Sequence, residues 1–103
     1  MRELSPRERF GHLLRTRRDE LGESLRAFGE RVSLSASYLH DLEHGRRDPP
    51  LDSAVVDALR AAGVASRDEL FALAYEARGV IDVSDLRPAQ LEKVAELVAA
   101  LRG

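Results

Sequence analysis

Helix-start and helix-stop residues alternate so regularly along the first 79 positions that only a set of short helices accommodates them. Ser5-Pro6-Arg7-Glu8 combines a capping box with proline at the first helical position. Ser24, Ser35 and Asp52 can each accept from free first-turn N–H groups, and Ser66-Arg67-Asp68-Glu69 repeats the box. Gly22, Gly45, Gly63 and Gly79 follow as stops, since glycine readily takes up the left-handed conformation that ends a helix. Between these marks apolar residues recur at helical spacing: Phe10, Leu13, Leu14 and Leu21; Leu25, Phe28 and Val32; Leu39 and Leu42; Val55, Val56 and Leu59; Leu70, Leu73 and Ala74. The pattern predicts five helices, from Pro6 to Leu21, Ser24 to Val32, Ser35 to Glu43, Asp52 to Gly63 and Ser66 to Gly79. Runs of β-branched residues with strand alternation are absent, so the fold class is all-α.

Beyond Gly79 the pattern changes. Val80 to Arg87 reads as a connection, and Pro88 opens a sixth helix in which Leu91, Val94, Val98 and Leu101 step by 3, 4 and 3 residues, with Leu97 beside them. That seam covers two heptads, too short to stand as a coiled coil, and suits packing on its own domain or on a second subunit. Because five helices already close a bundle, an apolar stripe left over would face water, which favours the second subunit. The chain therefore divides into a helical domain over 1–79 and a C-terminal linker and dimerisation helix over 80–103.

Composition narrows the chemistry. Apolar residues at 44% and charged residues at 33% suit a folded chain, and the absence of cysteine excludes disulfides, thiolate metal sites and cysteine nucleophiles together. No run approaches the ~20 apolar residues of a membrane span, and Met1 to Phe10 alternates charges where a signal peptide would be apolar. A cytoplasmic location is the expectation. The net charge of −2 conceals an asymmetry: residues 1–50 carry +1 and residues 51–103 carry −3. A local basic patch, not a basic total, is what a polyanion requires.

Such a patch follows the third helix. Two short helices joined by Ser33-Leu34-Ser35, then the basic loop Arg46-Arg47-Asp48-Pro49-Pro50, form the layout in which a second helix enters the DNA major groove. Gly29 sits in the middle of the first of these helices at a cost of ~1 kcal/mol relative to alanine, which a close helix crossing would justify.

The stretch from Phe28 to Pro50, FGERVSLSASYLHDLEHGRRDPP, resembles the helix-turn-helix of the Cro/C1 (XRE) repressor family, and the likeness extends over about residues 10–64. That resemblance implies a five-helix λ-repressor-like bundle with an additional C-terminal helix. It also implies a bacterial or phage transcriptional regulator that binds palindromic operators on double-stranded DNA as a homodimer. Carried over by position, Ser24 and Leu25 open the second helix where the family approaches phosphate, and Ala36, Ser37, His40 and Asp41 occupy the exposed side of the third. His44, Arg46 and Arg47 follow, the arginines as backbone clamps, and Ser24 and Ser35 serve as caps and anion contacts alike. Tyr38 joins Ser37 and His40 in base readout. The family also pairs an arginine late in the first helix with a glutamate near the end of the third, here Arg18 and Glu43, while Gly29 and Gly45 are structural.

Three positions depart from the family. Leu25 stands where glutamine is frequent, Ala36 where a long polar residue is common, and Ser33 where glycine is usual. Leu25 removes a phosphate contact, Ala36 offers only a methyl group to thymine, and Asp41 is repelled by phosphate while able to accept from cytosine N4–H. These features also fit a rival reading, an antitoxin or accessory module whose helix-turn-helix binds a protein partner. A toxin, protease or other antagonist protein is left open as a further partner.

Other chemistry finds less support. His40 and His44 at i, i+4 are the one metal-like pair, but the sequence places no third ligand, so no metal and no cofactor are implied. No nucleophile elbow, HExxH or phosphate loop occurs, and the reading is non-enzymatic.

Overall fold

A computed structural model describes residues 3–79, 96 and 99–102, and all regular structure among them is helical. The elements are α1 (Pro6–Leu21), α2 (Leu25–Val32), α3 (Ala36–Glu43), α4 (Ser53–Ala61) and α5 (Arg67–Ala77). Each begins at its expected cap. Ser5 and Glu8 close the reciprocal capping box at α1, and Ser24, Ser35 and Asp52 accept from first-turn N–H groups of α2, α3 and α4. At α5 one arm of the expected box is present, with Ser66 accepting from the Glu69 N–H.

The stops share a mechanism as well. After α1, α3 and α4 a glycine turns left-handed, and two consecutive N–H groups reach back to carbonyls of the last turn, as in Gly45 N–H to Leu42 O and Arg46 N–H to Asp41 O. After α2 the same role falls to Ser33, which is left-handed at φ 60° while Leu34 N–H reaches Gly29 O at 2.9 Å. A side chain there costs ~1–2 kcal/mol, whereas glycine would lose ~0.5–1 kcal/mol in chain entropy. Ser33→Gly is therefore expected to stabilise the protein by up to ~1 kcal/mol in urea denaturation.

Helix α1 is the central element, packing against α3 on one side and α5 on another, while α2 contacts α3 and α4, and α4 contacts α5. Phe10, Leu14, Phe28, Leu39, Leu42, Leu59, Leu70 and Phe71 are fully buried where these helices meet. Leu13, Leu21 and Leu25 lie partly buried around them. The packing orients α3 by anchoring Leu39 and Leu42 from below.

Two glycines set the distances. A Cβ on Gly11 would lie 2.4 Å from the Leu42 carbonyl oxygen and 2.7 Å from that of Glu43, so α1 and the end of α3 touch backbone to backbone. Gly29 is required for a different reason from the helix crossing expected of it. Its Cβ would meet the Leu34 carbonyl oxygen at 2.4 Å, because the turn between α2 and α3 folds over it.

Of the C-terminal segment, residues 96 and 99–102 are described, and all of these are helical. Leu91, Val94, Leu97 and Val98 of the expected seam lie outside the described residues. Leu101 is 51% exposed. Its neighbour Arg102 turns inward, donating to Asp68 at 2.8 Å and lying over the Phe71 ring at 4.8 Å, so this end of the helix contacts α5 of its own subunit.

Candidate nucleic-acid interface

Helix α3 is held from three sides. Leu39 and Leu42 are buried, the Gly11 contact brings α1 against its C-terminal carbonyls, and Arg18 grips Glu43. The Arg18 guanidinium donates Nε and Nη2 to the two Glu43 oxygens at 2.7 and 2.9 Å, and Nη1 to the Glu23 carbonyl at 3.0 Å. The Glu43 side chain is only 3% exposed and that of Arg18 16%, so both charges are largely withdrawn from water. Hydrogen bonding to Glu43 holds the Arg18 guanidinium above its ordinary basicity and outweighs the burial that would lower it. One arginine thereby fixes the end of α3 and the start of the α2 segment together.

With Leu39 and Leu42 facing inward, Ser37, His40, Asp41 and His44 form an outward stripe at i, i+3, i+4 and i+7. Ser37 and His44 are exposed; His40 and Asp41 are half-buried, because each has a partner. The His40 and His44 rings lie with centroids 4.2 Å apart and planes tilted by 30°, and His44 Nδ1 lies 2.8 Å from the His40 carbonyl oxygen. Asp41 stands between His40 Nδ1 at 3.7 Å and Arg47 Nε at 3.3 Å.

Ala36 departs from its expected place on the exposed side. It is half-buried at the edge of the stripe, because its backbone lies against Gly29. Tyr38 is also half-buried, packed on the core with the Arg47 guanidinium 5.7 Å from its ring centroid. That burial raises the Tyr38 phenol above its ordinary pKa, opposed by the nearby Arg47 and Arg78 charges. Arg47 is thus tied to Asp41 and lies over the Tyr38 ring, while its side chain stays 60% exposed. Arg46 is an exposed cation with no ion pair among the described residues.

At the helix starts, Ser24 Oγ accepts from Ala27 N–H and Ser35 Oγ from Tyr38 N–H, both at 3.1 Å. Both serines are exposed, and the N–H groups ahead of the capped ones belong to unpaired first turns. Leu25, at the position of the family's glutamine, packs on the core. Gly45, left-handed at φ 68°, lies against the Glu8 side chain and turns the chain into the basic loop. Arg7 then ties that loop to the start of α1 through Asp48 at 2.8 Å.

The Asp41–Arg47–Tyr38 contact and the Arg7–Asp48 pair were not foreseen. Arg7 and Asp48 are 41 residues apart and carry no local signal. Gly11 did carry one, a mid-helix glycine beside the buried Phe10 and Leu14, by the same reasoning applied to Gly29. Among the described residues no group of three or more His, Cys, Asp or Glu side chains could hold a metal ion, and no helix is long and apolar enough to cross a membrane.

Residues 9–73, more than half of the chain, match the family model described as a helix-turn-helix domain. No curated protein and no solved structure matches the chain.

Proposed function

Because the chain belongs to the helix-turn-helix domain family, we propose that it is a double-stranded DNA-binding transcriptional regulator of the Cro/C1 kind, a repressor acting as a homodimer on a palindromic operator. The observation that carries this reading is the outward stripe Ser37, His40, Asp41 and His44 on a helix whose opposite face is buried and whose end is fixed by Arg18 and Glu43. A polar stripe on a rigidly held helix is what major-groove readout needs.

In this reading α3 lies in the major groove, with Ser37 and His40 reaching base edges. The starts of α2 and α3, at Ser24 and Ser35, offer N–H groups to phosphates, and Arg46 supplies a charge-assisted contact to the backbone. Residues 1–79 bind DNA, while the C-terminal helix joins two copies through Leu91, Val94, Leu97, Val98 and Leu101. The exposure of Leu101 supports that assignment. Two-fold related copies of α3 would then enter the groove ~34 Å apart.

Salt dependence tests the reading. Arg46 and Arg47 in both subunits, four phosphate contacts in a dimer on its operator, predict a loss of about a hundredfold in affinity between 50 and 200 mM salt. Arg46→Ala, which removes one contact per subunit, should make the slope of log K against log[salt] shallower by ~1 per subunit. Negligible binding to any duplex at low salt would instead favour the protein-interaction module.

A further inference from the structure

We propose that Asp41 is a specificity gate: its carboxylate occupies Arg47 in place of a DNA phosphate and lets it go when the major groove offers the carboxylate a hydrogen-bond donor. The inference rests on the DNA-binding reading above and assigns to one acidic residue the discrimination between target and bulk DNA.

Three contacts place the two groups in competition. Asp41 Oδ2 accepts from Arg47 Nε at 3.3 Å, the Arg47 guanidinium lies over the Tyr38 ring, and Asp41 Oδ1 faces His40 Nδ1 at 3.7 Å. The Arg46 N–H bonds to the Asp41 carbonyl oxygen at 2.9 Å, which fixes the start of the basic loop relative to this carboxylate. Arg46, one residue earlier, has no acidic partner among the described residues, so the restraint falls on Arg47 alone. With side-chain exposures of 60% for Arg47 and 28% for Asp41, the pair is at the surface and weak enough to exchange partners.

On an arbitrary duplex Asp41 opposes binding twice, by repulsion from phosphate and by occupying Arg47. Purine N7, guanine O6 and thymine O4 are acceptors and give the carboxylate nothing, whereas the cytosine N4 and adenine N6 amino groups are donors, and cytosine N4 is the usual partner of an acidic side chain. At a site with cytosine under Asp41 the carboxylate gains a partner in the groove, and Arg47 becomes available to phosphate.

Wild type, Asp41→Asn, Arg47→Ala and the double variant should be titrated with a mixed-sequence duplex between 50 and 200 mM salt. Far-UV circular dichroism would check that each retains its helices. Asp41→Asn is expected to bind about tenfold tighter per subunit at 0.1 M salt, with a slope steeper by ~1 per subunit, because one phosphate contact is released. In the Arg47→Ala background the same substitution should gain only about threefold or less per subunit, since the competing cation is gone. Unchanged or weaker binding by Asp41→Asn, or an equal gain in both backgrounds, overturns the gate while leaving the DNA reading intact. Failure of wild type and Asp41→Asn alike to bind any duplex overturns both.

Discussion

Replacing Glu43 by alanine is expected to lower the unfolding free energy by ~3–5 kcal/mol, a large fraction of the ~5–15 kcal/mol typical of a small domain. The magnitude follows from burial, not from the attraction itself. With Glu43 3% and Arg18 16% exposed, the substitution leaves a guanidinium largely withdrawn from water, with its Nε and Nη2 donors unmatched and only the Glu23 carbonyl as partner. Urea denaturation at neutral pH measures the loss. Replacing both members by apolar residues, Arg18→Met with Glu43→Leu, should cost clearly less than the single change, because no orphaned charge remains. A single-variant loss below ~1 kcal/mol would mean that the pair behaves as an exposed one and does not fix α3.

Gly11→Ala is expected to destabilise by ~1–3 kcal/mol or more, although alanine is the better helix former by ~1 kcal/mol. The contact decides the sign. The added Cβ would stand 2.4 Å from Leu42 O and 2.7 Å from Glu43 O, both backbone atoms at the end of a helix, so no flexible side chain can swing aside. Helix α1 must shift from α3, which also strains the Arg18–Glu43 contact two turns along the same face. Thermal denaturation should show a lower midpoint, and DNA affinity should fall with it because α3 tilts. A raised midpoint would show that propensity had won and that the approach of α1 to α3 is looser than described.

The fold was legible because its punctuation is local. Ser5, Ser24, Ser35, Asp52 and Ser66 each cap within their own first turn, and Gly22, Gly45 and Gly63 each close their own last turn, so a few neighbouring residues carry the information. Even the left-handed Ser33 follows from its position after α2. The outward placement of Ser37 and His44 was legible too, because helical spacing puts them opposite Leu39 and Leu42. Less accessible were contacts set by side-chain rotamers. Arg47 reads as a free cation in sequence, but its Nε reaches back six residues to Asp41, and nothing in spacing distinguishes it from Arg46. Ala36, placed on the exposed side by the family resemblance, is half-buried, with its backbone nitrogen 3.6 Å from where a Cβ on Gly29 would stand, a tertiary approach that periodicity does not encode.

Selection of bound fragments from a pool of random duplexes by the full chain probes the central claim at its root. If α3 reads the major groove as one of a symmetrical pair, the recovered DNA converges on two inverted half-sites centred ~10 base pairs apart or a multiple of that spacing. Recovery of fragments no different from the starting pool, at salt low enough for any arginine-rich surface to hold DNA, would contradict it.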